Sequence, residues 1–180
     1  MTIEITFFKG DTRYKGQPRR YRSVLLRPDG VTVQLDGGGY NRIGGPVGEV
    51  PHDIAHLIVE DELGMDRGVW GTLVAGGLFG GASVIAGRQR PHAAARSREV
   101  LEASDEQLGH TEMMTRAVCD LSLTGTPDPR ALRAAAGERW WWPTTAEMLV
   151  RAFDRLQRAG EQWARLPAGG TLRFPWRLSG

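Results

Sequence analysis

Both ends of the chain alternate apolar and polar residues one by one, and nothing else in the sequence constrains the fold as tightly. Near the start, Ile3, Ile5 and Phe7 alternate with Glu4 and Thr6. Near the end, Leu172, Phe174, Trp176 and Leu178 alternate with Arg173, Pro175 and Arg177. A period of two marks a strand with one face buried and one face wet. The expectation is that the Leu172 to Leu178 strand joins the sheet built by residues 3 to 35, and that Pro175, lacking an N–H, puts it at an edge.

The segments between these ends fill in the architecture. Tyr21 to Arg27 and Val31 to Leu35 are β-rich runs joined by Pro28-Asp29-Gly30, which is hairpin turn chemistry. Gly37 to Gly48 reads as a loop with Ile43 and Val47 as anchors. From Pro51 the pattern turns helical and stops at Gly64. Ser104 with Gln107 has the form of a capping box for a helix running to about Leu123. Thr144 with Glu147 has the same form for a long helix ending before Pro167, with Leu149, Val150, Phe153 and Leu156 as its inward stripe. Strands, then helices, then a strand imply an α+β fold: a small antiparallel sheet of N-terminal strands plus a C-terminal edge strand, packed by several helices. The 180 residues read as a single domain, with 1–49 mainly strands and loop, 50–166 mainly helical, and 171–178 the final strand.

Composition excludes several classes. With 41% hydrophobic and 24% charged residues, the chain is neither disordered nor fibrous. One cysteine, Cys119, excludes an internal disulfide framework and suits a reducing compartment. Met1-Thr2-Ile3-Glu4 shows no basic stretch leading into an apolar one, so the expected location is cytoplasmic. A net charge of +2 says little about nucleic acid, because clustering matters more than the total. Two basic clusters exist, Lys15, Arg19, Arg20 and Arg22, then Arg88, Arg90, Arg96 and Arg98. Both read as solvated surface, and no nucleic-acid partner is expected. Val69 to Gly87 carries no charge over a bilayer-length stretch, but it holds six glycines and has arginines beyond both ends. It is expected to be a buried helix or loop whose glycines allow close backbone approach, and not a stable membrane span.

The chemistry concentrates in Pro51-His52-Asp53-Ile54-Ala55-His56-Leu57-Ile58-Val59-Glu60. Residues four apart stand one above the other on a helix, so His52 and His56 can grip one metal ion. Glu60 continues that face and is a candidate third donor or catalytic carboxylate. It lies eight residues from His52, about 12 Å along the axis, which strains a shared ion. His110, on the apolar stripe with Met113, Met114, Ala117 and Leu121, is the favoured outside ligand. The candidate metal set is therefore His52, His56 and His110, with Asp53 and Glu60 as candidate catalytic carboxylates. A divalent transition metal is implied, zinc first, with open positions for water.

The segment is also similar, over one turn and a half, to the HExxH helix of zinc peptidases, with aspartate at the acid position. That similarity implies a general-base role for Asp53 on a metal-bound water. The chain reads as a small metal-binding protein, and as a metal-dependent hydrolase of a small molecule or peptide through this HDxxH helix.

Two readings compete with this one. Pro51 and Asp53 suit any capped helix start, and Glu60-Asp61-Glu62 could be a solvated acidic edge. Trp140-Trp141-Trp142 cannot all face one way in helix or strand. Two in the core and one at a surface is the plain expectation, while a pocket wall or subunit interface leaves homo-oligomers open. A non-catalytic binding or assembly module using tryptophan and arginine is thus the alternative function.

Overall fold

The computed structural model describes residues 2–10, 21–37, 50–122, 128–141 and 143–177. Several expectations fall outside them: the loop anchors Ile43 and Val47, the basic residues Lys15, Arg19 and Arg20, and the side chains of Trp142 and Leu178.

Among the described residues, five strands form one sheet: β1 (Thr2–Lys9), β2 (Tyr21–Leu26), β3 (Thr32–Asp36), β4 (Ala82–Ala86) and β5 (Thr171–Arg177). Their order is β4-β3-β2-β1-β5, with every neighbouring pair antiparallel. The two alternating ends meet as expected. Ile3 pairs with Trp176, Ile5 with Phe174 and Phe7 with Leu172, so both strands turn apolar side chains to the same face. Ile5 also pairs with Leu25, which pairs with Val33, and the buried stripe continues across the sheet. Pro175 sits on β5, paired to β1 on one side only, where its missing N–H costs no ladder bond.

The helices cover that apolar face. They are α1 (His52–Leu63), α2 (Val69–Ala75), α3 (Ala93–Ser122), α4 (Pro129–Ala136) and α5 (Ala146–Arg165). Gly64 ends α1 at φ 66°, the left-handed conformation that stops a helix and that glycine adopts without strain. The α1 helix is the most enclosed: Ile54, Leu57, Ile58, Val59 and Leu63 are buried, and α2, α3, α5 and β5 pack around it. Phe7 meets Trp70 of α2 edge-on at 5.5 Å and Phe174 at 5.7 Å, tying sheet to helices. Lys9, at the end of β1, donates from Nζ to the Trp163 carbonyl at 2.5 Å and the Leu166 carbonyl at 2.8 Å. It thereby caps the negative end of α5.

Three local expectations change. The charge-free Val69 to Gly87 segment is neither one helix nor a loop: it makes the short α2, a turn, and then β4. Among the described residues, no helix is long and apolar enough to cross a membrane. The third helix begins at Ala93, so Ser104 lies buried inside it and caps nothing. Thr145, not Thr144, caps α5, accepting from the Met148 amide at 3.3 Å.

Candidate metal centre

The α1 helix brings His52 and His56 together as their spacing implies. Their Nε2 atoms lie 3.3 Å apart, and the rings are tilted at 72°. The third group beside them comes from α3, and it is Glu112. Its carboxylate oxygens stand 3.5 Å from His56 Nε2 and 3.9 Å from His52 Nε2. Among the described residues, His52, His56 and Glu112 are the one group of three whose donor atoms could hold a metal ion. Four donors placed about 2.1 Å from one tetrahedral ion stand roughly 3.4 Å apart. The two distances to His56 are close to that edge, and the third needs only a small rotation of an exposed glutamate.

Burial is asymmetric across this group. His56 is 1% exposed, whereas the side chains of His52 and Glu112 are 40% and 59% exposed. One wall of the site is therefore fixed by packing, and the opposite side faces solvent.

Behind His56 lies a second set of polar groups. Its Nδ1 is 3.4 Å from Glu60 Oε1, 3.5 Å from Thr111 Oγ1 and 3.4 Å from Thr115 Oγ1. Glu60 itself is fully buried. A buried carboxylate survives only if its oxygens are satisfied, and three donors do this. The Val69 amide donates at 2.8 Å, the Trp70 amide at 3.0 Å and the Thr111 hydroxyl at 2.9 Å. The first two open α2, whose leading N–H groups have no carbonyl of their own helix to meet. Gly68 gives the carboxylate room, since a Cβ there would land inside the Glu60 carboxyl group.

His56 consequently sits between two carboxylates. Burial pulls its pKa down, but Glu112 and Glu60 more than offset this and raise it to about 9. In return, His56 holds the Glu112 carboxyl below its ordinary range.

The other expected residues take different places. His110 does not join this group: its Nδ1 is 2.8 Å from the Arg139 carbonyl and its ring meets Trp141 at 5.8 Å. On α3 the inward face runs through Thr111, Met114, Thr115, Val118 and Ser122, one position beyond the stripe that includes His110. Glu60 is too fully engaged with α2 and Thr111 to reach toward His52. Asp53 stands on the far side of His52, with Oδ1 3.9 Å from Nδ1, so it faces the nitrogen that points away from the shared site. Its Oδ2 is buried with no hydrogen-bond partner among the described residues. Trp140 is buried in the core, and Trp141 donates from Nε1 to the Leu63 carbonyl at 2.8 Å, tying it to the end of α1. The acidic run is not a solvated edge either, for Asp61 and Glu62 both pair with Arg155 of α5, at 2.5 and 2.7 Å.

Glu112 was not selected by its sequence neighbourhood. A signal existed in Thr111 and Thr115, two small polar residues at helical spacing on the face that also carries Met114 and Val118. Buried threonines need polar partners, and Glu112 stands between them at the rim.

Comparison of the chain with family models, curated proteins and solved structures gives no match in any of the three.

Proposed function

We propose that this protein binds one divalent transition metal ion, zinc first, through His52 Nε2, His56 Nε2 and a Glu112 carboxylate oxygen. One observation carries the reading: three donors of the right chemistry, from two helices, converge at near-tetrahedral separations with solvent on one side. Two histidines and a carboxylate leave a position for water, the arrangement catalytic sites require.

The carboxylates behind the histidines support it further. A metal-binding imidazole commonly donates its other N–H to a carboxylate, which fixes the tautomer and strengthens the ligand. Glu60 meets His56 Nδ1 in this way, and Asp53 faces His52 Nδ1 at longer range. Both are positioning residues in this reading rather than a general base. A divalent ion held by His52, His56 and Glu112 would supply Lewis-acid activation of water, which suits hydrolysis, and the exposed side of the site would take the released proton to solvent. The substrate, a small molecule or peptide, enters from that same side.

Elemental analysis of protein purified without a histidine tag tests the proposal. About one equivalent of metal is expected, lost in His56→Ala and in Glu112→Ala. A wild-type protein that carries no metal and gains no thermal stability from added zinc, manganese or iron(II) overturns it.

A further inference from the structure

A cavity of about 340 Å³ opens where the β2–β3 turn, the end of α2 and the start of α3 meet. It lies well apart from the site above: Arg96 and Glu112 are sixteen residues apart on α3, about 24 Å along the axis. Its floor is apolar, with Val74, Leu78 and Val100 among the lining residues. Its rim is basic, with Arg27, Arg90 and Arg96 against Asp29 and Glu99.

The charges divide in a specific way. Arg27 donates from Nε to Asp29 Oδ1 at 3.1 Å and from Nη2 to Oδ2, and Asp29 also accepts from the Val31 amide at 3.2 Å. That pair is closed on itself and lines one side of the cavity. The side chains of Arg90 and Arg96 make no hydrogen bond or close ion pair with any described residue, and Arg90 acts on Asp29 only at longer range. Glu99 pairs with neither within contact distance. Two arginines with uncommitted guanidinium groups therefore line the same cavity as Val74, Leu78 and Val100. The walls are also braced: the Leu78 amide donates to Ser97 Oγ at 2.8 Å, fixing the turn after α2 against α3.

We propose that this cavity binds a small organic anion, an acid group with a short apolar tail. Arg90 and Arg96 take the carboxylate or phosphate, and the tail lies over Val74, Leu78 and Val100. A guanidinium fork matches either acid group in two-point geometry. Ligand pockets typically combine such an apolar lining with a few orienting polar groups. A flat basic surface for nucleic acid would lack the apolar floor.

Calorimetric titration tests this with octanoate, octyl phosphate, inorganic phosphate and octylamine, in EDTA so that the outcome is independent of the metal reading. Octanoate, octyl phosphate or both should bind, and the tighter of the two names the acid group. Arg90→Glu/Arg96→Glu should weaken that binding by about tenfold or more, with the melting temperature retained because both side chains are exposed. The milder Arg90→Gln/Arg96→Gln pair should act in the same direction. Four results overturn the proposal: no octyl anion binds, the double variants bind as wild type does, inorganic phosphate binds as tightly as octyl phosphate, or octylamine binds equally well.

Discussion

Glu60 Oε1 lies 3.4 Å from His56 Nδ1 while the same oxygen accepts the Val69 amide at 2.8 Å. A single buried oxygen thus touches both the proposed ligand and the first amide of the next helix. Whatever disturbs one end of this contact is felt at the other, and the first predictions follow from that.

Glu60→Ala should damage stability and metal binding together. It strands the Val69 and Trp70 amides and the Thr111 hydroxyl, each costing about 1–3 kcal/mol when left buried without a partner. The expected loss is roughly 3 kcal/mol or more, and metal affinity should fall about 10- to 100-fold through the freed imidazole. Urea melts and metal titration check the two effects. A variant with weakened metal binding but wild-type stability contradicts this account of Glu60.

Gly68→Ala should reproduce part of that phenotype from outside the site. The added Cβ meets the Glu60 carboxyl group, which has to leave the α2 amides to make room. A melting temperature lowered by several degrees, with a weaker metal complex, is the expected result. Gly64→Asn serves as a control, because asparagine tolerates the left-handed backbone there and open space surrounds the position.

The pH dependence has a definite sign. Before metal binds, His56 holds its proton up to about pH 9, from an ordinary value of 6.5. A histidine pKa raised on folding contributes stability that is fully present below pH 6.5 and lost as the pH rises toward and through 9. Metal has to displace that proton from Nε2. Apparent affinity should therefore climb by about tenfold per pH unit across the neutral range, from this proton alone. Titrations between pH 6 and 8 in a weakly coordinating buffer give the slope. A pH-independent affinity would mean that metal does not use His56.

His110→Ala should keep the metal. The change removes the bond to the Arg139 carbonyl and the ring contact with Trp141, costing on the order of 1–2 kcal/mol. Glu112→Ala should abolish metal binding and also lower the melting temperature of the metal-free protein at neutral pH, because it removes one of the two carboxylates that hold the buried His56 in its charged form. Metal content and melting temperature measured on both variants separate the two residues.

Much of the sheet was legible in the sequence because a half-buried strand writes its burial directly into alternation, as β1 and β5 do. The β4 strand escaped because it is short and neither of its faces is well covered, so no alternation marks it: Ser83 and Ile85 are exposed, and Ala82 and Val84 only half-buried. The start of α3 escaped because Ser104 and Gln107 imitate a cap, whereas the helix runs past both. Ser104 is buried against its neighbours, and Gln107 accepts from the Arg67 amide. The histidine pair was legible since helical spacing alone places it. The third group was not, because Glu112 reaches the site through the rotation of α3 about its axis. A one-residue shift in that rotation turns Thr111 inward in place of His110 and leaves Glu112 at the rim beside the histidines, and it is set by Met114, Val118 and Thr111 packing inward. That is a tertiary fact which no local pattern carries.

The placement of β1 between β2 and β5 has a consequence for synthesis. As the chain emerges, β1 can pair with β2 at once, but its other edge waits until α1 to α5 have all been made. Through that interval Ile3, Ile5 and Phe7 lack the strand that finally flanks them, and an unpaired edge beside apolar side chains invites pairing with the wrong chain. Contacts so distant in sequence form slowly. The last step of folding should be the docking of β5, carrying Phe174 and Trp176 onto a core whose helices are already in place.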